Sequence, residues 1–147
     1  MPAPAASVLI IESHAVMRDA LGAAIAAEPD FRIAGQAVSG AEVVGMLITT
    51  PADAVLLGFR PDLILLALGN PGRADLETLR TLRKSLPDIP LLALTNPDVE
   101  GQDRAALHAG AQAVLSGSAP RAELIRALRE LRMLRLPPPS LDLESQG

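Results

Sequence analysis

A run of six apolar residues, Leu63–Leu68, most constrains the fold of this chain. Arg60-Pro61-Asp62 precedes the run and Gly69-Asn70-Pro71-Gly72 follows it, so turn-forming residues bound it on both sides. Because every position is apolar, rather than every second one, both faces of such a strand must be buried. The run therefore predicts the centre of a parallel sheet that helices cover on both sides.

The rest of the chain alternates short apolar runs with longer segments of helical periodicity. Five strand–helix units in succession predict a single α/β domain with a doubly wound, five-stranded parallel sheet. The carboxyl ends of its strands are the expected working edge. Strands are predicted at Ser7–Ile11, Phe31–Val38, Leu63–Leu68, Pro90–Thr95 and Gln112–Leu115. Helices are predicted at Ala15–Ala27, from Ser39 with a restart at Thr50-Pro51, at Ala74–Leu86, at Val99–Ala109, and from Ala119-Pro120 to about Leu134.

Composition excludes several classes of function. The chain has 147 residues with 49% hydrophobic content, enough for one core. Two Phe and no Tyr or Trp leave little to stack bases on, and the net charge of −4 gives no general attraction to nucleic acid. No cysteine is present, and His14 and His108 are too few for a histidine metal cluster.

Domain limits and location follow from the chain's ends and its apolar stretches. We expect a disordered segment over residues 1–6, the domain over 7–135, and a Pro-rich tail or linker start over 136–147. Residues 1–6 lack the basic region of a secretion signal. The longest apolar stretch, Ala54–Leu68, is interrupted by Arg60-Pro61-Asp62 and is not expected to span a membrane. A cytoplasmic location is therefore expected.

Several short phrases, in this order and spacing, carry a family resemblance over about Ser7 to Arg132. The chain resembles the CheY-like receiver domains of response regulators, of the NarL/LuxR type. The resemblance implies a (βα)5 flavodoxin-like fold with strand order 2-1-3-4-5, which is a known property of that family. It also implies a role in two-component regulation, of transcription in particular. The phrases are Val8–His14, Glu28-Pro29-Asp30, Arg60-Pro61-Asp62, Leu92–Thr95, Ala109-Gly110-Ala111, and Ala119-Pro120 followed by Glu123-Leu124.

The resemblance also places the family's phosphorylation site, in a degenerate form. An active receiver uses an acidic pair to hold Mg²⁺, an aspartate to accept the phosphoryl group, a hydroxyl and a lysine. Here the acidic pair is Glu12 and Ser13, the acceptor position is Ala67, the hydroxyl is Thr95 and the lysine position is Gly117. The aromatic switch position is Val114. The expectation is a pseudo-receiver without a metal, cofactor or catalytic residue. A second departure is extra length between Gly40 and Asp62, near residues 49–58.

Each candidate residue also has a plain structural interpretation. Glu12-Ser13-His14 contains the residue types of a catalytic relay, but a loop in which Ser13 caps the first helix is favoured. Thr95 is either a remnant of the switch or a turn cap. Gly69, Gly72 and Gly117 could leave a hollow for a ligand, or could be turn glycines that need a positive φ.

Two surfaces could bind partners. Arginines of the last helix form a basic face that could meet an acidic partner or DNA, although Glu123 and Glu130 dilute it and a solvated face is more common. Small residues of the first helix could allow a homodimer through the first and last helices, or close packing on the chain's own sheet. The arginines are Arg121, Arg126, Arg129, Arg132 and Arg135.

The sequence leaves three functions to consider for this chain. The first is a phosphorylation-independent receiver that binds a regulatory protein or an output domain, with no direct nucleic-acid contact. The second is a small-molecule sensor that uses the emptied pocket, lined by Ser13, Ala67, Gly69, Thr95 and Ser116. An enzyme ranks last, because the sequence shows no paired nucleophile and base.

Overall fold

The computed structural model describes residues 4–43, 61–68 and 73–134 of the 147-residue chain, with side chains in the last range from residue 76 onwards. A helical turn at residues 40–43 begins after Ser39, whose Oγ accepts the N–H of Glu42 at 3.1 Å. This is a capped helix start. The strands are β1 Ala6–Ile11, β2 Phe31–Ala37, β3 Leu63–Ala67, β4 Leu91–Thr95 and β5 Ala113–Ser116. The labelled helices are α1 Ala15–Ala26, α2 Arg73–Ser85, α3 Gln102–Ala109 and α4 Arg121–Arg132.

The five strands form one parallel sheet in the order β2-β1-β3-β4-β5. This confirms both the predicted fold class and the expected strand order. The apolar run Leu63–Leu68 contains β3, the central strand of the sheet. Leu66 of β3 pairs with Ile11 of β1, and Ala67 pairs with Leu94 of β4.

Alternate residues of β3 feed two separate cores. Ile64 and Leu66 pack into a cluster with side chains of α2 and α3 on one face. Leu63 and Leu65 pack into a cluster with α1 and α4 on the other face. All four are buried, which explains why the run is apolar throughout.

Element ends differ from the predictions by one to three residues, with local causes. Ala6 lies in β1, not in a disordered segment, because its N–H donates to the Asp30 carbonyl at 3.0 Å. Helix α3 begins at Gln102 rather than Val99, because Gly101 adopts φ +77° and interrupts the helical backbone. The predictions for residues 44–60, 69–72 and 135–147, including the helix restart at Thr50-Pro51, lie outside the described residues.

Candidate functional site

The strand ends meet around one cavity of about 790 Å³ at the carboxyl edge of the sheet. Its floor is apolar, formed by the ends of β3 and β4, and polar side chains stand around the rim. All five predicted site positions line this cavity, as do residues that the sequence analysis did not select. The lining comprises Glu12, Ser13, His14, Val16, Met17, Ala20, Ala67, Leu68, Leu94, Thr95, Asn96, Pro97, Asp98, Gly117 and Ser118.

Ala67 lies at the centre of this edge. It is the last residue of β3, with β1 on one side and β4 on the other. It is partly exposed towards the cavity and packs below against the α1 and α4 cluster. A methyl group at this position offers neither a nucleophilic oxygen nor a metal ligand.

Glu12 is the nearest acidic side chain along the neighbouring strand, since it follows Ile11, the partner of Leu66. Its residue is 7% exposed, and its Oε1 accepts the His14 backbone N–H at 2.9 Å and lies 2.7 Å from His14 Nδ1. Arg18 donates to the Glu12 backbone carbonyl at 2.8 Å. Oε2 makes no hydrogen bond or ion pair in the part of the chain that is described.

The structure corrects the predicted role of Ser13. The N-cap of α1 is His14, and no side chain caps the helix, so the predicted Ser13 cap is wrong. The Glu12 carboxylate takes the first free backbone N–H instead. Ser13 Oγ lies 3.4 Å from His14 Nδ1, the nitrogen that already contacts Glu12. A nucleophile relay needs the carboxylate and the hydroxyl on opposite ring nitrogens, so this contact does not form one.

Thr95 is 3% exposed, and its hydroxyl faces α3. The Oγ1 donates to the carboxylate of Asp103 in the first turn of that helix. The hydroxyl therefore joins the end of β4 to the start of α3, a role that neither sequence interpretation included.

Gly117 has room for a side chain. Its φ lies outside the left-handed region, so the predicted need for positive φ is wrong at this position. A Cβ built there would lie 3.5 Å from the Thr95 carbonyl oxygen, an ordinary contact. Gly69 and Gly72 lie outside the described residues, and Ser116, predicted in the lining, is replaced there by Ser118.

Val114, the predicted switch position, does not line the cavity. It pairs with Ala93 of β4 and packs, partly buried, against the α2 and α3 cluster. A branched aliphatic side chain fills this position by packing.

The predicted basic face is largely occupied within the chain. Arg129 Nε and Nη2 donate to the two Asp30 carboxylate oxygens at 2.8 and 2.9 Å, and Nη2 also donates to Glu28 at 2.7 Å. These bonds hold the pKa of Asp30 below its usual value and raise the pKa of Arg129. Arg132 donates to the Asp30 carbonyl at 3.1 Å, and Arg121 lies 3.7 Å from Glu28. Arg126 is exposed and makes no such bond to the described chain.

Helix α1 turns its small residues outward. Only Gly22 among them is fully buried, which argues against close packing on the sheet as their main role. Val16 is also 84% exposed and lines the cavity, at about 140° around the helix from the buried Leu21. The exposed small residues are Ala15, Ala20, Ala23, Ala26 and Ala27.

The described residues contain neither a cluster of metal ligands nor a membrane-spanning helix. Within residues 4–43, 61–68 and 73–134, no group of three or more His, Asp or Glu side chains could hold a metal ion. No helix in these ranges is both long enough and apolar enough to cross a membrane.

Comparisons with known proteins give the chain its relatives. A family model described as response regulator receiver domain matches residues 8–129. The nitrate/nitrite response regulator protein NarL of Escherichia coli K12 is 30% identical over 125 residues, which are 85% of this chain and 54% of that protein. The transcriptional regulatory protein LiaR of Bacillus subtilis 168 is 28% identical over 122 residues, 83% of this chain and 54% of that protein. The chain thus spans about half the length of the curated relatives it matches.

Solved structures agree on the fold. A two-component response regulator of the LuxR family from Aurantimonas sp. SI85-9A1 superposes with a TM-score of 0.73 at 21% identity, covering 96% of this chain and 94% of that one. At this identity the likeness concerns the fold alone.

Proposed function

This chain belongs to the family of response regulator receiver domains, and we propose that it works without aspartyl phosphate, as a module that a protein partner recognises. The observation that carries the proposal is Ala67, a methyl group at the end of the central strand where the family resemblance places the phosphoacceptor. No carboxylate on β3 can be phosphorylated there, because Ala67 and Leu68 supply its floor.

The neighbouring positions support the same proposal. Mg²⁺ prefers several hard oxygen ligands, and the rim supplies the Glu12 carboxylate with Ser13 beside it rather than a second acid. Gly117 supplies no ammonium group to neutralise a phosphoryl oxygen. The Thr95 hydroxyl is already bound to Asp103. Among the described lining residues, a phosphoryl group would therefore have no acceptor at position 67, a single acid where the family pairs two, and no Lys or Arg.

A receiver that cannot be phosphorylated cannot use that group to shift a two-state equilibrium. Signalling would then depend on the binding or the abundance of a partner, and we assign no catalytic role. By analogy with the relatives, we place the module in cytoplasmic regulation of transcription, acting on a regulatory protein or output domain. We propose residues 6–135 as the receiver unit, extended by one residue because Ala6 lies in β1, and 136–147 as a tail or linker start.

The direct test uses a phosphoryl mimic. Beryllofluoride with Mg²⁺, or acetyl phosphate with Mg²⁺, should leave the amide NMR spectrum of the chain unchanged. Shifts clustered at Glu12, Ala67 and Thr95 would contradict the proposal. An active receiver in the same buffer is the positive control.

Restoring the site tests the reason for the loss. Ala67→Asp alone should not become phosphorylated by acetyl phosphate. Ser13 still lacks the second carboxylate for Mg²⁺, and Gly117 still lacks the amine for the phosphoryl oxygens. The triple variant S13D/A67D/G117K should bind beryllofluoride, since Ser13 is exposed and Gly117 has room for a side chain. Rapid labelling of the single variant would show that Ser13 and Gly117 matter less than we propose.

A homodimer through α1 and α4 is part of the proposed partner set. The exposed alanines of α1 would allow a second helix to approach closely. Light scattering should give a dimer mass for the wild-type chain and a monomer mass for Ala23→Arg. Ala122 is exposed on α4, so a monomer mass for Ala122→Arg would show that this helix shares the interface. A monomer at all accessible concentrations would remove this element of the proposal.

The cavity favours a second candidate, a small-molecule sensor. A volume of about 790 Å³ falls within the usual size of ligand sites, and its floor is apolar with polar groups at the rim. Binding to the folded state must raise the melting temperature as the ligand concentration rises. A thermal-shift screen without a concentration-dependent hit would leave the protein-binding function as the better proposal.

A further inference from the structure

We infer that the cavity at the carboxyl edge of the sheet is a site for an organic cation, an ammonium or guanidinium group carried on a short apolar body. This inference rests on the proposal that no aspartyl phosphate forms there, and it names the class of ligand that we expect the site to bind instead.

The charged groups of the lining are acidic. Glu12 and Asp98 line the cavity, and none of the described lining residues is Lys or Arg. His14 also lines it and is charged only when protonated. The Arg18 guanidinium is bound to the Glu12 backbone carbonyl and is not among the described lining residues. Within that lining an anion would therefore face two carboxylates, whereas a cation would face two favourable charges.

Glu12 provides the anchoring oxygen. The residue is more than nine-tenths buried, and both contacts of its carboxylate with the described chain run from Oε1 to His14. Oε2 has no partner among the described residues. Every fully buried side-chain N or O atom of those residues does have one, so Oε2 is accessible, and we place it at the cavity that Glu12 lines. A partly desolvated carboxylate with one free oxygen is a strong acceptor for a charged N–H donor.

The other walls define the body of the ligand. Ala67, Leu68 and Leu94 form an apolar floor, and Val16 and Met17 form an apolar wall although they are 84% and 46% exposed. A cation with a short aliphatic chain would cover these groups while its charged end reaches Glu12. The exposed Asp98 carboxylate makes no bond to the described chain and would complete the charge match at the rim.

Two sources could supply this chemistry: a free amine, or a Lys or Arg side chain that a partner inserts. The test is NMR titration of the full chain with butylammonium, butylguanidinium and butanoate at matched ionic strength. It is run at about pH 8, above the usual titration range of histidine. A blocked pentapeptide with a central Arg forms the second arm. We expect both cations to shift amides around Glu12, Ala67 and Asp98 and to bind about tenfold or more tightly than butanoate.

Variants locate the site. Glu12→Gln keeps the Oε1 acceptor and should weaken cation binding about fivefold or more, and Asp98→Asn should weaken it less because that carboxylate is exposed. Gly117→Lys adds a positive charge at the rim and should weaken cations while strengthening butanoate. Ala26→Lys adds the same charge at the far, exposed end of α1 and should change neither affinity.

The two sources give different results. A peptide that binds more tightly than butylguanidinium assigns the site to a partner's basic side chain, and the reverse assigns it to a free amine. Equal affinities for butanoate and butylammonium would overturn the inference. So would equal effects of Gly117→Lys and Ala26→Lys on the affinity for the cations. Beryllofluoride with Mg²⁺ on the same sample separates this outcome from failure of the proposed function.

Discussion

Placing a carboxylate at position 67 should destabilise the fold, and the size of the loss follows from the register of the strands. Neighbouring strands lie about 4.8 Å apart, and Glu12 follows Ile11, the partner of Leu66. The carboxylate introduced by Ala67→Asp would therefore stand about 5–6 Å from that of Glu12. With an effective dielectric constant of about 20–40, the repulsion is about 1.5–3 kcal/mol.

The assay is urea unfolding at about pH 8, above the usual titration range of histidine. We expect Ala67→Asp to lower the free energy of unfolding by about 2 kcal/mol relative to Ala67→Asn, which has the same shape without the charge. Glu12→Gln should recover most of this difference in a double-mutant cycle, since it removes the second charge and keeps the contact with the His14 N–H.

Acidity gives an independent check. A neighbouring negative charge raises the folded-state pKa of the introduced carboxyl, so the penalty exists at neutral pH and disappears as the pH falls below about 4. A coupling energy below about 0.5 kcal/mol, or a penalty that persists at low pH, would refute the deduced proximity of these two positions.

Three further changes test the packing around the site. Arg129→Met should let the lowered pKa of Asp30 rise towards its usual value in a carboxyl NMR titration. The pair's stabilisation is present above the unfolded pKa and is lost as the pH falls through the lower folded pKa, so the unfolding free energies of wild type and variant in urea should converge once the pH is below that folded pKa. Gly22→Ala should be tolerated within about 1 kcal/mol, because the close contact of the new methyl is with the end of the flexible, exposed Gln36 side chain and its contact with Ile10 Cδ1, at 4.0 Å, is an ordinary one. Gly110→Ala should cost about 2 kcal/mol or more, because φ is +126° and the methyl meets the Arg83 stem; equal thermal midpoints would contradict this. Leu65→Ala, at a position with 0% exposure, should cost about 2–5 kcal/mol in chemical denaturation, and a smaller loss would mean that α1 and α4 can collapse onto the sheet.

The order of strands and helices could be predicted because it depends on local patterns. The continuous apolar run of β3 could only be a central strand, and alternation with helices limited the remaining choices. The family resemblance selected the five site positions. All five line the same cavity because the strand ends of a parallel sheet share one edge.

The interactions that the sequence did not reveal are specific pairings. Arg129 reaches Asp30 from 99 residues away, so no local pattern marks it as an internal ion pair rather than a free basic face. The start of α3 depended on the backbone angle of Gly101. The Glu12 and His14 contact depends on the orientation of the carboxylate, whose Oε1 lies 2.7 Å from His14 Nδ1. These outcomes follow from tertiary geometry, which residue spacing does not encode.

The hydrogen bond between Thr95 and Asp103 connects a residue that lines the cavity with an exposed residue on the outer surface. A molecule that captured the hydroxyl would release the Asp103 carboxylate at the exposed first turn of α3, where water can solvate it at little cost. The first turn of α3 is therefore where an occupied pocket would become visible to a protein on the outside.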